Sequence, residues 1–189
     1  MRYVVEYLEG MLGWALLTLL VYIPLRALWL RRKAKREGQF RFRFLRELGL
    51  LLFTLCYVAV LSQTVLSDLS TFSLSNVGSR INLIPGLVFA DAKESAFGLL
   101  ICLLGNLAVL MPIGFLMPLL WKKANFPGTL LFCALTSLGY ELLQLPLAYR
   151  FTDIDDLWLN TLGGAVGCLL SLFLMRLFPK LRGVFNDTP

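Results

Sequence analysis

A chain of 189 residues that is 58% hydrophobic, with several apolar runs each about long enough to cross a bilayer hydrocarbon core of roughly 30 Å, reads as a polytopic membrane protein. Its formal net charge of +6 does not point to nucleic acid: eight of the 18 basic residues lie between Arg31 and Arg46, and such a cluster is a topology determinant facing anionic lipid. There is no histidine, which excludes mechanisms needing an imidazole base or ligand, including most zinc hydrolases and the usual serine triads.

The first predicted span runs from Gly10 to Leu30. It is too long, and too lacking in a small-residue cleavage site, for a cleaved signal peptide, so it reads as a retained span. Pro24 lies inside it, and Arg26 is close enough to the basic end to snorkel to the interface. The loop RRKAKREGQFRFRFLRE interleaves Phe40, Phe42 and Phe44 with arginines, a pattern suited to a negatively charged membrane surface.

A second span covers Leu48 to Leu66 and is followed by a long connection, SDLSTFSLSNVGSRINLIPGLVFADAKESAFG. Its INLIPGLVFA stretch is too short to span and reads as an interfacial or re-entrant segment, with Arg80 and Asn82 at its edge. The third span, Leu99 to Trp121, is weakened by Gly105, Pro112 and Gly114, and its Asn106 needs a hydrogen-bond partner, either as glue between helices or as part of a site.

The fourth span, Thr129 to Tyr149, puts Ser137, Glu141 and Gln144 at i, i+4 and i+7, on one face of an otherwise apolar helix. After Pro146 come Arg150, Asp153, Asp155, Asp156 and Asn160, so the first partner to test for Glu141 is Arg150. The fifth span, Leu157 to Phe178, holds Gly163 and Gly167, a GxxxG pair that lets another helix, including one from a second copy, approach closely. Asp153 or Asp155 is also placed to cap its start.

Cys56, Cys102, Cys133 and Cys168 all fall inside spans without CxxC spacing and read as buried small hydrophobes. The fold class is therefore an all-α membrane helix bundle of about five transmembrane helices with a re-entrant or interfacial segment. With the 31–46 loop in the cytoplasm, thirteen basic residues lie inside against four outside, which places the N terminus outside and the C terminus inside.

That orientation gathers Arg80, Asn82, Asn106, Glu141, Gln144, Arg150, Asp153, Asp155, Asp156 and Asn160 in the outer half of the membrane or just above it. Glu141 lies eight residues before Tyr149, which puts it roughly 12 Å below that end of the helix. An ionised Glu141 in hydrocarbon must be protonated, paired or open to a water-filled cavity. Two readings follow: ion pairs with Arg80 and Arg150 that hold the outer loops on the bundle, or a polar pocket for a lipid headgroup, a phosphate or an extracellular small molecule. Oxygen ligands at Asp153, Asp155 and Asp156 suit magnesium or calcium, but DIDD lacks the spacing and glycine of an EF-hand, so no cofactor is expected.

The ordered series Arg80-x-Asn82-Leu-Ile-Pro85, Asn106, Pro112-x-Gly114-Phe, Glu141-x-x-Gln144, Arg150-x-x-Asp153-x-Asp155-Asp156 and Asn160-x-x-Gly163-x-x-x-Gly167 resembles the VanZ-like family of bacterial membrane proteins. The resemblance covers about residues 50 to 178; Gly86 stands where family members often carry an aromatic. It divides the chain into a first helix and basic cytoplasmic loop (1–47), a VanZ-like transmembrane domain (48–178) and a short cytoplasmic tail (179–189). It implies a bacterial plasma-membrane envelope protein that reduces susceptibility to lipoglycopeptides, teicoplanin more than vancomycin. The partners it implies are membrane lipids and a lipid-linked cell-wall precursor or lipoglycopeptide. The alternatives are an intramembrane enzyme acting on lipid headgroups or polyprenyl phosphates, with Glu141 or an aspartate as base, and a small lipid flippase or transporter.

Overall fold

A computed structural model describes residues 2–37, 42–78, 80–90 and 96–185. Among the described residues five helices are long and apolar enough to cross a membrane, as the hydropathy pattern requires. The chain is an all-α membrane bundle. The first helix, α1 (Arg2–Glu37), packs against α2 (Phe44–Thr64) and buries none of its apolar window. At 36 residues it is roughly 54 Å long, so it stands well beyond the hydrocarbon core.

The expected basic loop is largely helix: α1 continues through Arg31–Arg36 and α2 starts at Phe44. Arginine and lysine are good helix formers, and cations suit a helix C-terminus. Phe40 and Arg41 lie outside the described residues. Arg26 has a partner on the next helix. Its guanidinium makes a two-pronged pair with Glu47 of α2 at 2.6 and 2.9 Å and lies over the Trp29 ring.

The centre of the bundle is α4 (Ala96–Leu120) against α6 (Ile154–Leu177), with α5 (Phe126–Gln144) packed on α6. A β-carbon at Gly163 would run into the Leu107 carbonyl, one at Gly167 into the Met111 carbonyl, and one at Gly114 into the Gly164 backbone. The GxxxG face is thus occupied by α4 of the same chain. Pro112 and Pro118 sit inside α4 without breaking it, as proline in apolar helices is tolerated where neighbours re-satisfy the backbone. Leu110, Ile113, Cys133 and Tyr140 form the core, covered by Phe53 and Tyr57 of α2. No disulfide joins the four cysteines; Cys133 and Cys168 are buried, whereas Cys102 is exposed on α4, contrary to the reading of every cysteine as buried.

One end of the bundle carries the two long connections. Between α2 and α4 the chain makes two 3-10 turns, Leu66–Thr71 and Leu74–Asn76, then β1 (Ile81–Asn82) and the one-turn helix α3 (Leu87–Ala90). Strand β1 pairs in parallel with β2 (Thr152–Asp153), Ile81 opposite Thr152 and Asn82 opposite Asp153, a short ladder that an all-helical reading does not contain. Pro146 stops α5 at Gln144 rather than Tyr149, because proline lacks the N–H the helix needs. Glu141 therefore lies in the last turn, roughly 5 Å from the helix end, and not 12 Å below it. At the opposite end a short helix, α7 (Lys180–Phe185), lies beneath α2, α4 and α6.

Because a methyl at Gly163 or Gly167 would collide with backbone, alanine at either should lower stability by ~1–3 kcal/mol. Alanine at Gly105, which has open space around it, should be neutral or gain up to ~1 kcal/mol of helix propensity. Denaturation in mixed micelles, followed by circular dichroism, separates the two outcomes.

Candidate functional site

Where α5 stops and α6 begins, backbone and carboxylates interlock. Asp153 has extended dihedrals and caps α6, its Oδ1 accepting from Asp155 N–H at 2.8 Å and from Asn82 Nδ2 at 2.9 Å. Its own N–H donates to Glu141 Oε2 at 2.9 Å, and Thr152 Oγ1 donates to the Glu141 carbonyl. Glu141 thereby ties the last turn of α5 to the strand that precedes α6.

Asp155, with 1% of its surface exposed, accepts from Gly86 N–H at 2.7 Å, Val88 N–H at 2.9 Å and Trp158 Nε1 at 2.7 Å. Three N–H donors and the positive end of α6 stabilise a carboxylate without a cation. Gly86 has φ of +85°, a backbone state glycine adopts freely, and this turn points the N–H groups at Asp155. The INLIPGLVFA stretch is therefore a strand, a glycine turn and one turn of helix fastened to the start of α6.

Deeper in the bundle, Asn106 Nδ2 of α4 donates to Asp156 Oδ1 at 2.5 Å, which gives Asn106 the partner it requires. Asn160, one turn below Asp156, donates from Nδ2 to Ser137 Oγ at 3.0 Å; Ser137 is one turn below Glu141. Asn160 is 6% exposed, and its Oδ1 is buried with no hydrogen-bond partner. Gln144 turns away from this group, donating to the Thr64 carbonyl of α2 at 3.1 Å. Glu141, Asp156, Ser137, Asn160 and Asn106 thus form facing tiers on three helices.

The arginines go elsewhere. Arg150 pairs with Asp68 at 2.5 Å, donates to Ser67 Oγ at 3.0 Å and to the Gln63 carbonyl, and so fastens the α5–α6 connection to the end of α2. The expected Glu141–Arg150 pair is not formed: Glu141 already accepts from the Asp153 backbone, and Asp68 with the Gln63 carbonyl offers Arg150 a matched site. Exposed Arg80 lies over the Phe151 ring, 5.2 Å from its centre, while its carbonyl accepts from Thr152 N–H. Among the described residues, no lysine or arginine is within ion-pair distance of Glu141, Asp153, Asp155 or Asp156.

Asp153, Asp155 and Asp156 diverge, toward Asn82, the Gly86–Val88 backbone and Asn106 respectively. Among the described residues, no three acidic, cysteine or histidine side chains converge to hold a metal ion. Sequence reasoning missed Asp68 and Trp158. Asp68 carried one usable signal, a lone acid just past an apolar span; Trp158, three residues after Asp155, carried none.

The sequence model of the VanZ/LLP1 family matches residues 48–176, from the first apolar turns of α2 to the end of α6. The chain belongs to the VanZ/LLP1 family. A similar curated relative is Protein VanZ of Enterococcus faecium, 29% identical over 123 residues that make up 65% of this chain and 70% of that protein. No solved structure matches the chain. The family match contains every residue of the interlocked end and leaves out α1 and the basic turns that follow it.

Two predictions come from these contacts. Asp155→Ala removes the acceptor for three N–H groups, so stability should fall by roughly 1–3 kcal/mol and hydrogen exchange at Gly86 and Val88 should rise selectively. A double-mutant cycle on Arg150 and Asp68, whose side chains are each about a quarter exposed, should give a coupling of roughly 1 kcal/mol, whereas a cycle on Arg150 and Glu141 should give none.

Proposed function

We propose that this protein is a bacterial envelope factor whose interlocked end receives the polar head of a lipid-linked or lipid-bearing molecule, and that this reduces the access of a lipoglycopeptide such as teicoplanin to its target. The observation that carries the proposal is the buried, unpartnered Asn160 Oδ1 lying one turn beneath Asp156, beside a tier of carboxylates with no cation in contact among the described residues. Such a surface is rich in acceptors. It suits a head that presents amine, amide or hydroxyl hydrogens, and suits a phosphate poorly, since Arg150 is engaged by Asp68 and cannot act as a second prong beside Arg80.

Two further observations support the reading. The unequal distribution of basic residues supports an outer position for this end, where cell-wall precursors and glycopeptides meet. Membership of the VanZ/LLP1 family and the similarity to the enterococcal Protein VanZ support an envelope role, and protection against teicoplanin more than against vancomycin is what the resemblance of the motif series to the VanZ-like family implies.

The test is susceptibility to both antibiotics in a sensitive Gram-positive host carrying empty vector, wild type, Glu141→Ala or Asn160→Ala at matched membrane levels. Wild type should raise the inhibitory concentration of teicoplanin more than that of vancomycin, and both substitutions should remove the difference. Full protection by Glu141→Ala would show that the acceptor tier is not where the ligand is held; no protection by wild type would reject the resistance role.

A further inference from the structure

Three stretches of chain, residues 66–77, 145–152 and 80–90, lie side by side over the interlocked end of the bundle. Ser73 N–H donates to the Pro146 carbonyl at 2.9 Å, Ala148 N–H to Thr71 Oγ1 at 3.1 Å and Thr152 N–H to the Arg80 carbonyl at 3.0 Å, so the three form one layer. Each stretch exposes large apolar side chains: Leu74 is 76% exposed, Tyr149 71% and Leu83 71%. Charge is sparse by comparison. Residues 66–90 hold Asp68 and Arg80, residues 145–152 hold Arg150, and Asp68 and Arg150 neutralise one another. We propose that this layer is seated in the membrane interface, with its apolar side chains among the acyl chains of the phospholipid leaflet on its own side.

Helix length sets the depth. With 19 residues, α5 is roughly 28 Å long, close to the hydrocarbon thickness of roughly 30 Å. Its start follows Trp121, Lys122 and Lys123, an indole and two ammonium groups that belong at the opposite interface. Gln144 at its other end therefore reaches the far boundary of the hydrocarbon and no further, and any tilt lowers it. The 145–152 connection emerges at that boundary, and the hydrogen bonds hold the other two stretches beside it. The run SDLSTFSLSN mixes leucine and phenylalanine with serine, threonine and asparagine, which suits a boundary where apolar groups enter the hydrocarbon and hydroxyls stay among the headgroups. Tyr149 is amphipathic in the same sense.

The layer also continues a surface that already faces lipid. Leu142 and Leu143, in the last turn of α5, are each about half exposed, and the apolar surface passes from them into the connection without a charged break before Arg150. A soluble partner would require the layer to stand clear of the headgroups, which the length of α5 does not allow. Exposed apolar surface of this extent, interleaved with polar side chains, marks a protein or a membrane contact, and the depth selects the membrane. The proposal uses none of the acceptor tier and so stands apart from the proposed function.

The test is photocrosslinking of the full chain in liposomes made only of phosphatidylglycerol and phosphatidylcholine, with photoreactive p-benzoylphenylalanine replacing Phe72, Leu83 or Tyr149, one in each stretch. Two positions calibrate the yield: Leu131, exposed on the lipid side of α5, and Lys35, exposed where α1 stands beyond the hydrocarbon core. Mass spectrometry should find acyl-chain adducts at all three loop positions in roughly half or more of the yield at Leu131, and little at Lys35. The replacements of Phe72 and Tyr149 keep an aromatic ring, so these two decide the matter should the Leu83 variant fail to fold. A yield at Phe72 or Tyr149 no higher than at Lys35, or adducts to a second copy in place of phospholipid, would overturn the proposal.

Discussion

Helices α4 and α6 touch backbone to backbone. Carbonyls of Leu107 and Met111 occupy the space that side chains at 163 and 167 would fill, and Gly114 makes the same close approach to Gly164. In hydrocarbon no hydrophobic force drives helices together, so contact depends on dispersion at short range and on polar bridges between helices. Both are present here. Asn106 is the neighbour of Leu107, and the approach that seats Leu107 against Gly163 also lets the Asn106 amide meet Asp156. A bulkier α6 would push α4 away and leave Asn106 and Asp156 as separate polar groups in apolar surroundings.

Above that contact, the acids at the end of the bundle are held by N–H groups rather than by cations. Asp155 accepts from two backbone amides and an indole, Glu141 from a backbone amide, and Asp153 from the first turn of α6. The cation nearest to them in sequence, Arg150, instead secures the connections from their other side through Asp68, while Asn76 donates to the Pro146 carbonyl and Ala148 N–H to Thr71. The result separates the charged pair that holds the loops from the acceptors held by N–H groups. The loops are fastened at the α2 side, and the acceptors lie between α4, α5 and α6.

Much of this arrangement was legible in the chain. Spacing of i, i+4 and i+7 put Ser137, Glu141 and Gln144 on one face, and all three are buried; Asp153, placed before an apolar run, caps α6 as its position suggests. Pro146 carried the stop signal for α5, but the apolar residues beyond it, Leu147 and Tyr149, masked it and made Glu141 look deep. The Arg150–Asp68 pair was hidden by a separation of 82 residues and by a nearer, more conspicuous carboxylate. The cradle around Asp155 could not be read at all, since two of its three donors are backbone amides and have no side-chain signature. The basic loop misled because its arginines suggested a surface strip, although their helix propensity extends α1 instead.

The Arg26–Glu47 pair has a consequence for how the chain enters the membrane. Each residue belongs to a different span, 21 positions apart, and an unpaired charge at a span end is less well solvated than in water. Joined, they present lipid with a neutral, hydrogen-bonded unit. The pair therefore favours insertion of α1 and α2 together, as a helical hairpin, over insertion of α1 by itself.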